Sequence, residues 1–291
     1  MKQKTGKLYI VGTPIGNLQD ITYRAVETLR SVSTIFAEDT RHTRKLLSAY
    51  DIHKPLYPYH DHSSGKVIEY IISRVRRGDS IAIVSDAGMP GFSDPGYELI
   101  KKAIDEKIPI SIIPGPSAIL TALLLSGLPP YPFSFLGFPP PRGSKRRSFF
   151  EKYSDVRSTL VLFEAPHRFH KTLEDIHRYW GNRKLAVTRE LTKIHEQVIR
   201  GKVEEILSKT PETIKGEITL VVEGAGEDKE HTQDDSWIDE LETFIHSKNL
   251  SASEAARVFA REHGLSKKMV YKKILELRED KNDTKVNITP D

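Results

Sequence analysis

Ile83-Val84-Ser85-Asp86-Ala87-Gly88-Met89-Pro90-Gly91-Phe92-Ser93-Asp94-Pro95-Gly96 is the stretch on which the reading of the fold turns. It opens as the end of a buried strand, residues 80–85, and runs directly into a segment rich in glycine, proline and aspartate. A turn needing that much positive-φ and proline-fixed backbone, at the carboxyl end of an apolar strand, is where an α/β sheet places a ligand. Asp94 then reads as an N-cap and Pro95 as the first residue of the next helix.

The same strand-loop-helix unit recurs on either side. Residues 8–11 are apolar and stop at Gly12-Thr13-Pro14-Ile15-Gly16-Asn17, after which Asp20 is expected to cap a helix running to about residue 32. Residues 34–36 form a second strand ending in Glu38-Asp39-Thr40-Arg41, followed by a basic helix. A short strand is expected at 57–59, an amphipathic helix at 65–77, and a strand at 108–113 closed by Pro114-Gly115-Pro116-Ser117-Ala118 and an apolar helix, 119–125. Apolar strands alternating with helices predict a mostly parallel sheet covered on both faces.

From Gly127 the texture changes, which marks the entry to a second α/β domain. Strands are expected at 133–138, 159–163, 185–188 and 218–222, a helix at 166–179, and a hairpin at 194–200 turning at Gly201; these suggest a mixed sheet. Residues 139–147 read as a proline-stiffened basic loop. The domain plan is 1–126, 127–225, an acidic linker 226–242, and a helical tail 243–291. In the tail, Ser251 to Glu254 fits a capping box, and Lys267, Lys268, Lys272 and Lys273 make its last helix basic, as in a helix-turn-helix.

Composition narrows the chemistry. With 291 residues, 38% hydrophobic, the chain can bury more than one core, and with no cysteine it has no disulfide, thiolate ligand or cysteine nucleophile. The polar, basic amino end and the lack of a long apolar run predict a cytoplasmic protein without a membrane span. The first loop resembles a dinucleotide fingerprint, but Thr13-Pro14 replaces the second glycine and there is no GxxxxGK, so a ligand without phosphates suits it better. His60-Asp61-His62 and His167 with His170 have metal-compatible spacings, yet histidines in loops and exposed helices are far more often just polar, and no metal is expected. Glu164-Ala165-Pro166-His167-Arg168 and Arg189-Glu190 each follow an apolar strand, where a site role competes with a cap or a salt bridge. Arg142, Lys145, Arg146 and Arg147, between prolines and Phe149-Phe150, suit a loop gripping a phosphate backbone and splayed bases, or a solvated turn.

The ordered set VGTPIGN, AEDTR, SDAGMPGFSDPG, PGPSA, GFPPPRG, FEAPHR, TRELTKIHE and GEITLVVEG resembles the tetrapyrrole-methylase-like (class III) S-adenosylmethionine-dependent methyltransferases. Within them it is most similar to the ribosomal RNA small subunit methyltransferase I family, which 2′-O-methylates a cytidine of 16S rRNA in the decoding region. The resemblance implies two α/β domains with S-adenosylmethionine in the cleft between them, a homodimer, and 16S rRNA or the small ribosomal subunit as partner. Carried over by motif, the donor site would include Pro14, Asp86, Ala87, Gly88, Ser117, Ala118, Glu164 and Leu191. Glu38, Asp39, Glu164 and Glu190 are the candidates to accept the ribose proton, with Asp39 or Glu164 expected to orient the hydroxyl. Arg41, His167 and Arg168 are candidate substrate clamps, with Arg142, Lys145 and Arg146 on the basic loop. Competing readings are a tetrapyrrole or other small-molecule methyltransferase of the same fold, a Rossmann-like oxidoreductase, and a non-enzymatic RNA binder.

Overall fold

The structure, a computed structural model, describes residues 6–60, 65–92, 96–211, 214–226, 236–247, 250–263 and 267–283. The chain divides into two compact units, Met1–Ala225 and Gly226–Asp291.

The first unit opens with β1 (Leu8–Val11), a 3₁₀ turn at Leu18–Asp20, α1 (Tyr23–Ser31), β2 (Thr34–Ala37), α2 (Thr40–Ala49) and β3 (Leu56–Pro58). It continues through α3 (Gly65–Arg76), β4 (Ile81–Val84), α4 (Tyr97–Asp105), β5 (Ile110–Ile113) and α5 (Ala118–Ser126). The five strands form one parallel sheet in the order β3-β2-β4-β1-β5. Alternate residues of each strand feed different layers, as strand geometry requires. Leu8, Ile10, Ile81 and Ile83 pack with Ile71, Ile72 and Leu99, whereas Val11, Ile35, Ala82 and Val84 pack with Ala25 and Leu29. Each fully buried Ile or Leu contributes about 1.5–3 kcal/mol.

The second sheet is mixed. It is built from β6 (Phe133–Phe135), α6 (Gly143–Lys152), β7 (Thr159–Glu164), a 3₁₀ turn at Pro166–Arg168, α7 (Phe169–Trp180), β8 (Lys184–Arg189), β9 (Gln197–Lys202), α8 (Val203–Lys209) and β10 (Ile218–Val222). The strand order is β6-β7-β10-β8-β9, with only the β6–β7 pair parallel. On one face Leu160, Leu162, Leu185 and Leu220 pack under Phe150, Phe169, Leu173 and Trp180. On the other, Val161, Ala186 and Val221 meet Ile15, Ala122 and Leu123, so the two sheets share a small core of their own.

Several boundaries differ from those read in the sequence. Thr22, not Asp20, caps α1: its Oγ1 accepts from the Ala25 N–H at 3.1 Å, while Asp20 ends the preceding 3₁₀ turn. Helix α4 begins at Tyr97 with Gly96 at its N-cap, φ 145°, and the expected cap Asp94 and Pro95 lie outside the described residues. Gly201 is not a turn but a β9 residue opposite Leu185, and the β8–β9 connection is made by residues 190–196. The basic loop is short, because α6 starts at Gly143 and takes Lys145, Arg146 and Arg147 into its first turns.

Among the described residues of the second unit, three helices, α9 (Ser236–Ser247), α10 (Ala252–His263) and α11 (Lys267–Asp283), pack around Leu241, Ala255, Ala256, Phe259, Val270 and Ile274. The capping box is present: the Glu254 N–H donates to Ser251 Oγ at 3.3 Å and the Ser251 N–H to Glu254 Oε2 at 3.1 Å. Helix α9 overlaps the segment expected as a linker. Trp237, Leu241, Phe244 and Ile245 recur at helical spacing within it, and that stripe outweighs its acidic composition.

At the carboxyl edge of the first sheet, backbone meets backbone. The Gly12 N–H donates to Ile113 O at 2.9 Å, and a Cβ on Gly115 would lie 2.8 Å from the Gly12 Cα. Gly115→Ala is therefore expected to destabilise the protein by about 1–3 kcal/mol in urea denaturation. Gly65→Ala, whose Cβ meets nothing within 4 Å, is the neutral control.

Candidate functional site

The loops after β1, β4 and β5 converge on one place. Thr13 and Gly88 form an antiparallel bridge, Thr13 N–H to Gly88 O at 2.8 Å and Gly88 N–H to Thr13 O at 3.1 Å, and Thr13 Oγ1 donates to Ser85 O at 3.2 Å. Gly88, at φ 76°, makes the turn that the bridge needs. Ser117 caps α5, accepting from the Leu120 N–H at 3.4 Å, so the first turn of that helix opens onto the same edge.

Together with the second sheet these loops enclose a cavity of about 700 Å³. Ile15, Ala87, Gly88, Ser117 and Ala118 line it from the first sheet, and Phe135, Phe163, Leu191, Gly216 and Thr219 from the second. Among its described lining residues there is no Lys, Arg or His, and the only charged ones are Glu164 and Glu217. A cavity so lined suits a ligand without phosphates.

Six of the eight expected donor-site residues, Ala87, Gly88, Ser117, Ala118, Glu164 and Leu191, line this cavity. Pro14 and Asp86 do not. Pro14 is buried beside Ile15, which supplies the wall, and Asp86 Oδ1 accepts the Asp39 N–H at 3.0 Å, tying the β2–α2 loop to the β4 loop. The sequence reading missed the phenylalanines Phe92, Phe133, Phe135, Phe138 and Phe163. The alternation of β7 would have shown Phe163 on the cleft face, two residues beyond Val161.

The same alternation turns Glu164 away. Its side chain is fully enclosed and faces the helical layer, where Oε1 pairs with Arg168 Nη2 at 2.7 Å and accepts the Ala165 N–H at 2.7 Å, while Oε2 accepts from Thr172 Oγ1. Thr172 in turn accepts from Arg146 Nη2 at 2.8 Å, and Arg146 Nε pairs with Asp175 at 2.6 Å. Arg146 and Arg168 also donate to the Pro140 and Pro139 carbonyls at 3.0 and 3.1 Å. Arg146 is 6% exposed, so the expectation that it grips substrate from an exposed loop is corrected: it is a buried clip between the proline-rich loop and α7. Arg168 belongs to the same clip. Arg142, Lys145, Arg147 and His167 remain exposed.

The other carboxylates are also engaged. Asp39 is the N-cap of α2, and the Arg41 side chain, bonded to it at 3.0 Å, with the Arg41 N–H, holds it down from 3.8 to about 2. This depressed value means that Asp39 stays ionised as pH falls from 3.8 toward 2, and that at neutral pH it is a weak base. Glu190, at φ 50°, accepts the Glu217 N–H and Lys193 Nζ, both at 2.9 Å, and these bonds, the backbone one first, lower its pKa. Glu38 is half-buried at the end of β2. Among the described residues no cluster of histidine and carboxylate could hold a metal, and Asp61 and His62 lie outside them. No helix of the described residues is long and apolar enough to cross a membrane.

The family described as Tetrapyrrole (Corrin/Porphyrin) Methylases matches residues 7–207. A relative from Halalkalibacterium halodurans, "Ribosomal RNA small subunit methyltransferase I", is 43% identical over 272 residues, covering 91% of this chain and 93% of its own. The chain belongs to the ribosomal RNA small subunit methyltransferase I family. A member of that family from Thermotoga maritima is 48% identical over 223 residues, which span 99% of it but 75% of this chain. Among solved structures, a uroporphyrin-III-C-methyltransferase from Thermus thermophilus shares the fold, with a TM-score of 0.53, 23% identity, and coverage of 75% of this chain and 94% of that one. The family assignment agrees with the tetrapyrrole methylase fold of two α/β sheets with a helical tail.

The buried clip separates Arg146 from its exposed neighbours in an experiment. Arg146→Ala is expected to destabilise the fold by about 1–3 kcal/mol, since Thr172 and the Pro140 carbonyl lose a buried donor and Asp175 is left with Lys171 alone, at 3.2 Å. Arg142→Ala should stay within about 0.5 kcal/mol in the same urea titration.

Proposed function

We propose that this chain transfers the methyl group of S-adenosylmethionine to the ribose 2′-oxygen of a cytidine in 16S rRNA, in the decoding region of the small ribosomal subunit. The observation that carries the reading is a 700 Å³ cavity whose described lining has no basic side chain, in a chain whose relatives are named for rRNA methylation. A phosphate-bearing cofactor would lack counter-charges there, whereas S-adenosylmethionine has no phosphate to neutralise.

Ala87, Gly88, Ser117, Ala118 and Leu191 would hold the donor, with the unpaired N–H groups at the start of α5 suited to its carboxylate. Bound there, the donor supplies an activated methyl carbon, which needs proximity and alignment more than acid-base strength. The carboxylates accord with that demand. Asp39 is weakened as a base by Arg41, and Glu190 by Glu217 and Lys193, while Glu164 is enclosed with both oxygens bonded. Their contribution is to hold loops, so that the ribose hydroxyl is oriented by the cavity as a whole. RNA phosphates would meet Arg41, Arg142, Lys145 and Arg147 outside the cavity.

The reading includes a homodimer in the cytoplasm. Leu124 on α5, 72% exposed, and Ile112 on the edge strand β5, 46% exposed, support a self-association face.

The test is mass-spectrometric mapping of ribose methylation in small-subunit rRNA from cells with and without the protein. One 2′-O-methylcytidine is expected to vanish in its absence and return when the purified protein and donor are added to the unmethylated subunit. Unchanged rRNA, with pigment bound to the purified protein, would move the reading to a small-molecule methyltransferase.

A further inference from the structure

The aromatic side of the cavity has a role that donor binding leaves open. Phe135 and Phe138 pack on Phe163 with ring centroids 4.9 and 5.5 Å apart. Phe138 is nonetheless 51% exposed, a ring at the cavity wall with much of its surface open to solvent. We propose that Phe138 is the stacking platform for the nucleobase of the nucleotide being methylated, with Arg142, Lys145 and Arg147 contacting the flanking phosphates. This rests on the functional reading above.

Three observations point to a nucleobase. The charge is placed for one: the cavity lining carries no basic side chain among the described residues, yet exposed Arg142, Lys145 and Arg147 follow Phe138 within nine positions. A planar uncharged ring inside and a phosphodiester outside is the division that a nucleotide presents. The platform is also rigid. Phe138 is followed by Pro139 and Pro140, whose carbonyls accept from Arg168 and Arg146, and those arginines are fixed by Glu164, Thr172 and Asp175. A ring so held loses little conformational freedom when a base stacks on it. Finally, a ribose hydroxyl that reaches the donor carries its own base to the cavity mouth, within reach of a half-exposed ring at the wall.

The test separates this role from a donor wall. Phe138→Leu, Phe138→Ala and Phe138→Trp are compared with the wild type for S-adenosylmethionine affinity by calorimetry, and for KM and kcat on unmethylated small subunits. Phe138 is half-exposed, so these changes spare the core, and circular dichroism checks the fold. The leucine and alanine variants are expected to lose about 5- to 150-fold in kcat/KM for rRNA, the range of base–aromatic stacking, with donor affinity unchanged. Tryptophan should restore activity to within about threefold of wild type. Leucine matching wild type, or donor affinity falling in step with activity, would overturn the assignment. So would a loss of activity traced to a changed oligomeric state. A wild-type protein that binds no donor or methylates no rRNA overturns the functional reading as well, whereas an active wild type with indifferent variants overturns this assignment alone.

Discussion

Everything at the site depends on how closely the ends of β1 and β5 approach. Gly12 and Gly115 touch backbone to backbone, and neither tolerates a Cβ without displacement. That contact lets Thr13 reach across to Gly88 and form the bridge that closes three loops into one cavity edge. A side chain at either glycine would push the loops apart, and the position of Ala87 and of the start of α5 would move with them. The glycines are thus required by the distance between chains; neither is among the positive-φ residues.

A second constraint fixes the opposite wall. The chain of bonds from Asp175 through Arg146 and Thr172 to Glu164 and Arg168 is enclosed by α7 and the proline-rich loop. Its charges are matched in place, so removing one partner would leave another buried alone. The clip holds the loop that carries Phe138, and the cavity therefore has two rigid walls before any ligand enters. Glu190 makes a third tie, between the β8–β9 turn and the Gly216–Glu217 segment, where a Cβ on Gly216 would meet the Glu190 carboxylate at 2.5 Å.

Much of this was legible in the residues. The apolar strands, the parallel first sheet, the mixed second sheet and the loops at strand ends follow from periodicity and turn chemistry, and six donor-site residues carried over by motif line the cavity. What stayed hidden was side-chain direction. Glu164 sits beside the cavity in sequence logic, but a strand alternates its faces, and this carboxylate points to the helices. By residue type Arg146 is indistinguishable from its basic neighbours, and only the helix beginning at Gly143 turns one of the three cations inward. Helix α9 was masked by its acids although its apolar stripe was present.

The most direct measurement is a crystal structure with S-adenosylmethionine. The donor is expected in the cavity against Ala87–Gly88, Ser117–Ala118 and Leu191, with its methyl group directed toward the phenylalanine wall. A donor bound elsewhere, or one whose adenine occupies the Phe138 ring, would contradict the account.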